Sequence, residues 1–441
     1  MSETKKERDP SLPVWVGDRG FINEVEFAKE FLSFGYFKCS DGKFYSTEGV
    51  MEEQELRVTI YNIISRYVSS NVNSKITKIL SVMRLEGESF EKIENQEDRI
   101  HLYNGTLYVD GTFLDSREYC MNRLPAEYKK DAPEPTLWLK FLSELLDESD
   151  IPTLQEYMGY LFIPSTRAQK MLMIIGKGGE GKSRIGKVLR ALLGNAMNTG
   201  NISKVETNQF ARADLEDKLL LLDDDLKLEA LPQTNYIKSI ITAELPMDLE
   251  KKGVQSYQGK LYVRFLGLGN GTLQSMNDHS FGFFRRQIII TTKDRPKDRV
   301  DDPYLADKLI NEADGIFKWC FEGLQRLVKN NFQFTISDRA KRNLAQAMRD
   351  SVNVSDFMTS SGYIERDPNG SVSTKELYEV YRVWCSDNNV AELSPKAFSA
   401  FLINHQGNYG LRYVNRLPDR IRAIRGFIGL NTLITPRNLY S

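Results

Sequence analysis

The eight residues Gly176-Lys-Gly-Gly-Glu-Gly181-Lys182-Ser183 fit the spacing GxxxxGK[ST] in full. Glycines lack a β-carbon, so successive backbone N–H groups can turn toward one anion. The apolar run Met-Leu-Met-Ile-Ile at 171–175 precedes this loop, and Ile185, Val188, Leu189 and Leu192 follow it at helical spacing, with Gly194 as a stop. A helix N-terminus therefore points at the loop, and its dipole favours negative charge there. The chemistry that suits these residues is the grip of a triphosphate. Gly176, Gly178, Gly179 and Gly181 form the cradle, Lys182 reaches the β- and γ-phosphates, and the Ser183 hydroxyl ligates Mg²⁺. ATP and Mg²⁺ are the ligands expected. The bland alternative is a chance glycine-rich turn, which would have no reason to sit between a strand and a helix.

Holding the metal and activating a water in line with the γ-phosphate requires carboxylates. The leucine run 219–222 leads directly into Asp223-Asp224-Asp225. A buried strand ending in acids puts them at the carboxyl edge of a sheet, where ligands bind in open α/β folds. Asp223 is assigned to the metal shell and Asp224 to water activation. Taken alone, the same run would read as a solvated acidic turn. A third apolar run, Val263-Arg-Phe-Leu-Gly-Leu268, ends in Gly269-Asn270-Gly271, which can aim the Asn270 amide at the γ-phosphate or the attacking water. By itself that tripeptide is only a turn.

The elements that must position these residues follow from the pattern around them. From Met171 to about Leu327, strand-like runs (171–175, 219–222, 263–268 and Gln287-Ile-Ile-Ile) alternate with helical ones, the signature of a parallel sheet covered by helices. The fold class expected is α/β, a P-loop core in residues 136–330. Before it, residues 1–135 mix a helical stretch (54–67) with short runs around Asp41-Gly42, Asn104-Gly105 and Asp110-Gly111, a small α/β or helical accessory region. Asp131-Ala-Pro-Glu-Pro135 reads as a linker, with helical patterns at 137–146 and 154–162 beyond it. Residues 331–441 are helical at first, and Ser394-Pro395 opens a helix through Ile403. Strand-like runs follow, and helices before a hairpin suggest a winged-helix domain.

Composition narrows the classes. A chain of 441 residues, 41% hydrophobic and 27% charged, is that of a folded globular protein with room for two or three domains. Its apolar runs are too short to cross a bilayer and its N-terminus has no apolar signal core, so a cytosolic protein with no membrane partner is expected. The 4 cysteines include no CxxC pair and the 3 histidines are dispersed, so neither a zinc site nor a disulfide framework is indicated. With 59 basic and 60 acidic residues the net charge is −1. This balance does not argue against a local nucleic-acid track, since counterion release depends on the few cations that touch phosphate.

Together these residues resemble the superfamily 3 helicases, specifically the phage and plasmid primase-helicase family that includes the poxvirus replication NTPase. The likeness extends beyond one motif. Asn104-Gly-Thr-Leu-Tyr, the stretch 135–142 with Trp138, and Leu154-Gln-Glu-Tyr-Met-Gly159-Tyr are similar to the segment leading into that family's motor. Asp278-His-Ser-Phe-Gly-Phe-Phe-Arg285-Arg286 resembles its arginine-finger motif, and Glu312-Ala-Asp-Gly315-Ile-Phe-Lys-Trp319 its next helix. Leu377-Tyr-Glu-Val-Tyr381-Arg-Val-Trp384-Cys385 resembles the start of its C-terminal domain. The resemblance implies an AAA+ type core, Asn270 as sensor, and Arg285 as a finger inserted by a neighbouring subunit, with Arg286 the less favoured candidate. A guanidinium can neutralise charge on the transferring phosphoryl group, and supply from the next subunit makes hydrolysis depend on a ring, a homo-hexamer in this family. An Arg pair on the surface is the alternative.

Leu249-Glu-Lys251-Lys252-Gly253-Val-Gln-Ser-Tyr-Gln-Gly259 resembles the pore hairpin of the superfamily, where Lys251 and Lys252 would hold phosphate without reading bases. Large T antigens have histidine at the position of Gly253, so a backbone or lysine contact is expected here; an exposed basic turn is the plain alternative. From Ser394 onward Lys396, Arg412, Arg416, Arg420, Arg422, Arg425 and Arg437 face the single acid Asp419. Arg412, Arg416 and Arg422 are the candidates for duplex contact, although such a basic face would also suit another subunit. There is no cysteine cluster and no room before Trp138 for a full primase domain, so primase activity is not carried over. The function implied is a hexameric ATP-dependent helicase, 3′ to 5′, on single-stranded and forked DNA. It would serve replication of a phage, plasmid or mobile genetic island, with a separate primase or initiator as partner. The rivals are an origin-binding initiator that uses ATP as an assembly switch and a P-loop small-molecule kinase, for which no substrate pocket is marked.

Overall fold

The computed structural model describes residues 11–434, except 35–36, 41–42, 88–92, 94, 227–233, 244, 254, 271–280, 297, 299, 389, 391, 419 and 421–422. Its centre is a five-stranded parallel sheet of β1 (Met171–Gly176), β2 (Met197–Thr199), β3 (Leu220–Leu226), β4 (Arg264–Asn270) and β5 (Gln287–Thr291). The strands pair in the order β5-β1-β4-β3-β2, every pair parallel. The four apolar runs legible in the sequence are four of these strands. β2 is three residues long and has no apolar run to announce it.

Both sheet faces are covered, which is why the strands read as continuous apolar runs instead of alternating ones. Leu172 and Ile174 of β1, with Leu220, Leu222, Leu266 and Ile288, face one core cluster; Met171, Met173 and Ile175, with Leu221, Phe265 and Ile289, face the other. The first face carries α1 (Thr136–Leu145), α2 (Ile151–Tyr160), α3 (Ser183–Leu193) and α4 (Ala313–Lys329). The second carries the helix Asn235–Thr242 and Ala347 of the long α5 (Asp338–Thr359).

α2 and α4 meet through glycine. A β-carbon at Gly159 would lie 2.1 Å from the Cys320 carbonyl oxygen, and one at Gly323 would lie 2.6 Å from the Gln155 carbonyl oxygen, so the two backbones touch where only hydrogen fits. Beside this crossing the buried Glu156 accepts from Arg326 at 2.6 Å and from the Thr335 backbone N–H at 2.7 Å, which satisfies a carboxylate that water cannot reach.

The N-terminal elements divide between two cores. Helices Glu24–Ser33, Glu53–Ile64 and Val72–Gly87 and a three-stranded antiparallel sheet surround Trp15, Phe27, Leu56, Ile60 and Ile79. The following hairpin, Arg99–Leu102 with Gly105–Tyr108, instead sends Ile100, Leu102 and Leu107 into the same cluster as Trp138. The proline segment 131–135 is also packed: a β-carbon on Gly315 of α4 would lie 2.3 Å from the Pro133 carbonyl oxygen.

After α5 come β6 (Ile364–Ser373), α6 (Thr374–Asp387), α7 (Pro395–His405), β7 (Arg412–Val414) and β8 (Gly426–Thr432), with the strands antiparallel in the order β6-β8-β7. Phe357, Tyr381, Trp384, Phe398 and Phe427 form their core. Ser373 and Glu376 close a reciprocal capping box that starts α6. Among the described residues no helix is long and apolar enough to cross a membrane.

Candidate functional site

β1 runs directly into the glycine loop and α3 leaves it, so the loop sits at the carboxyl edge of the sheet. Gly178, Gly179 and Gly181 adopt φ of 104°, 81° and 105°, a region that excludes ordinary side chains and turns the peptides into a concave shell. Gly176 is required for a different reason. A β-carbon there would lie 2.5 Å from Thr292 Oγ1 and 2.7 Å from Lys182 Nζ.

Lys182 is 6% exposed, and its ammonium donates to Glu180 Oε2 at 2.8 Å and to Asn270 Oδ1 at 3.0 Å. Asn270 is thus brought to the loop by the pairing of β4 with β1, in which it stands opposite Gly176. Glu180, which the motif treats as a spacer, is 3% exposed and accepts from the backbone N–H groups of Lys177 and Gly178. Burial opposes its charge, but the Lys182 ammonium and the loop N–H groups outweigh that cost and hold its carboxyl below the usual range. A carboxylate of this chain therefore sits among donors that the sequence reading offers to phosphate.

The acidic run is split by a bulge. Asp223 pairs opposite Gly267 and Leu226 opposite Gly269, so Asp224 and Asp225 together face Leu268. Asp223 is 4% exposed and accepts from the Ile202 N–H at 2.8 Å and the Asp225 N–H at 3.3 Å. Burial pushes its carboxyl up, and those two hydrogen bonds oppose the shift. Asp224 and Asp225 are exposed. Leu222, beside them, touches the start of α3 at Gly186. No hydrogen bond among the described residues joins Asp223 to Ser183.

Arg285 lies at the other end of the sheet. The Arg286 carbonyl accepts from the Met171 N–H at 2.8 Å, at the beginning of β1. Gly176 is five residues further along that strand, roughly 16 Å at the rise of an extended chain. Arg285 is exposed and its carbonyl accepts from Lys170. The cradle and the arginine pair are thus separated within one chain. The first three residues of that motif, 278–280, lie outside the described residues.

The strands Met247–Leu249 and Tyr257–Gly259 form an antiparallel hairpin. Gly253 near its tip has φ of 77° and open space around it, and Lys252 is exposed. Lys251 is engaged: its ammonium lies 2.8 Å from Glu216 Oε2, and Glu216 also takes Lys43 at 3.0 Å and the Tyr257 hydroxyl at 2.7 Å. Nothing in the sequence signals this partner. In the C-terminal region Arg412 and Arg416 are exposed, Arg420 pairs with Glu376 at 3.1 Å, and Arg422 and Arg437 lie outside the described residues. Lys375, Lys396, Tyr413 and Arg425 line a groove of about 690 Å³ between α7 and the antiparallel sheet.

The segment after β5 also reaches the loop, which the sequence reading did not anticipate. Lys177 pairs with Asp294 at 2.7 Å, and Arg295 donates to the Gly179 carbonyl at 3.4 Å while its other nitrogen meets Asp301 at 2.9 Å.

The fold defines a mixed α/β protein with a P-loop-like core on a five-stranded parallel sheet. The model of a family of unknown function (DUF5906) matches residues 174–286, from the end of β1 to the arginine pair. The chain is similar in fold to the A form apo structure of the NrS-1 C-terminal region, with a TM-score of 0.50 at 11% identity over 92% of this chain and 99% of that one. A second A form apo structure of that region gives a TM-score of 0.49 at 12% identity, over 92% and 100%. No curated protein matches the chain.

Proposed function

We propose that this chain is an ATP-dependent DNA helicase of the superfamily 3, AAA+ type, acting as a homo-hexamer in replication of a phage, plasmid or mobile genetic island. The observation that carries the reading is the buried Lys182, fixed at the carboxyl edge of the sheet between Glu180 and the Asn270 amide of β4. A lysine held there by an internal carboxylate and a strand-borne amide suits a triphosphate that replaces the carboxylate. The Glu180 carboxylate, accepting from loop N–H groups, supports the cradle's fitness for an anion.

In this reading Gly176, Gly178, Gly179 and Gly181 shape the cradle and Lys182 offsets the charge of the outer phosphates. Ser183, with Asp223 in support, holds Mg²⁺, which when bound would neutralise charge between the phosphates. Asp224, exposed at the strand end, orients the attacking water. Arg285, too distant for its own cradle, serves the neighbouring subunit, so turnover requires assembly. Lys251 and Lys252 grip the strand in the ring channel. Residues 331–441 form a winged-helix domain whose Arg412, Arg416 and Arg422 contact duplex DNA, and residues 1–135 are an accessory domain.

Strand displacement on 3′- and 5′-tailed forks with ATP and Mg²⁺, beside a mass measurement of the particle, tests the reading. Displacement from the 3′-tailed fork by a hexamer is expected. ATP binding without displacement from either fork would favour an assembly switch, and absence of ATP binding would end the reading altogether.

A further inference from the structure

We infer that Arg295 is a phosphate ligand of the nucleotide site, supplied by the same subunit that supplies the glycine loop. The inference rests on the reading of residues 176–183 as that loop and adds a cation to it. Three observations place the guanidinium there. β5 ends beside β1, and the chain beyond it is tightly anchored: the Thr292 N–H donates to the Ile175 carbonyl at 2.9 Å, and Lys293 donates from its backbone to Leu145 at 2.8 Å and from its ammonium to Ser143 at 2.8 Å. Arg295 follows two residues after this anchor.

Its side chain then lies over the middle of the loop. Nη1 is 3.4 Å from the Gly179 carbonyl, and a β-carbon at Gly179 would stand 3.3 Å from Nη1. Gly179 needs glycine for its φ of 81°, and the guanidinium lies close against it. Gly178 next to it faces the Asn270 amide, 3.8 Å from a β-carbon position. The amide read as the sensor of the γ-phosphate thus stands at the glycine next to the one that Arg295 meets.

Asp301 is a partner of Arg295 that phosphate can displace. Asp301 is 2.9 Å away, but its side chain is 63% exposed and that of Arg295 37% exposed, and ion pairs in water of this kind are weak. A terminal phosphate brings more charge and a geometry that a planar guanidinium matches with two hydrogen bonds. Asp301 therefore holds Arg295 at the rim and releases it when the triphosphate enters. Arg285, at the opposite end of the sheet, cannot take this role for its own subunit.

The test compares binding of the non-hydrolysable AMP-PNP with that of ADP, both with Mg²⁺, by calorimetry on the full chain. Arg295→Ala is expected to weaken AMP-PNP about tenfold while changing ADP less than about twofold, the loss of one charge-assisted contact to the outermost phosphate. Asp301→Asn is expected to leave AMP-PNP unchanged or tighter. If Arg295→Ala weakens both nucleotides equally, or neither, the inference is overturned. It is also overturned if Asp301→Asn weakens AMP-PNP as Arg295→Ala does, since the pair would then be a clasp that only stiffens the loop. Lys182→Ala separates the two levels: wild-type binding in that variant removes the loop reading itself, whereas lost binding there with an unaffected Arg295→Ala removes only Arg295. Thermal unfolding of each variant without nucleotide checks that the fold is retained.

Discussion

The carboxyl edge of the parallel sheet and the basic surfaces of this molecule use cations in opposite ways. At the sheet edge, Lys182 is buried and fixed by a carboxylate and an amide drawn from different segments of the chain. On the hairpin and the C-terminal region, Lys252, Arg412 and Arg416 are exposed. Where such a cation is held, as Lys251 by Glu216 or Arg420 by Glu376, the contact is a side-chain ion pair at or near the surface. Chemistry on a phosphoryl group needs donors fixed to fractions of an ångström, which strand ends provide. Grip on a polynucleotide backbone needs only charge within reach, and a mobile lysine supplies it.

That contrast can be broken by mutation. The largest effect should come from Lys182→Ala, which is expected to lower ATP turnover on the order of a hundredfold or more. Asp224→Asn should act in the same direction. Steady-state ATPase assays check both, and near-normal turnover would mean that the buried cluster is merely structural.

Arg285→Ala is next. Alone it should suppress ATPase more than it loosens nucleotide binding, because a finger acts chiefly on the charge that develops as the phosphoryl group transfers. Mixed with Lys182→Ala subunits it should recover part of the activity at hybrid interfaces. Mass measurement of the mixture verifies assembly, and assembled but inactive mixtures would count against supply from a neighbour.

Changing Lys251 and Lys252 together to Ala should spare basal ATPase but remove its stimulation by single-stranded DNA. The slope of log affinity against log salt should fall by roughly 1 to 2. Stimulation and slope that match the unmutated chain would separate this hairpin from DNA. The smallest effect belongs to Glu216→Gln. With its acid neutralised, Lys251 is released, and single-strand affinity at low salt should rise by about two- to threefold. A fall in affinity would mean that Glu216 positions Lys251 and does not sequester it.

Much of the central fold was legible because its strands are buried on both faces. The runs at 171–175, 219–222, 263–268 and 287–290 are apolar throughout and separated by helical spacing, and all four became parallel strands. β2 escaped notice because an edge strand of Met197, Asn198 and Thr199 carries too little apolar content to stand out. Packing of the hairpin at 99–108 with Trp138 was not legible either, since a short amphipathic run does not name the core that it joins.

In the candidate site, the glycines, Lys182 and Asn270 could be read from local spacing, and their convergence is made by the pairing of β4 with β1. The bulge at Asp224 and Asp225 could not, because an extra residue in a ladder depends on the partner strand. Glu180 stood inside the motif as an unassigned letter, and only its burial beneath the loop gave it a role.

The sequence alone therefore determined what is local: a loop that turns because its glycines allow it, a helix aligned on that loop, and strands that had to be buried. Only the tertiary structure decided which distant charges meet. It set Arg295 against Gly179, Glu216 against Lys251, and Arg285 at the edge of the sheet opposite the cradle. The physical reason is that backbone preference acts over a few neighbouring residues, whereas the position of an ion relative to a distant partner is fixed by how whole strands and helices pack.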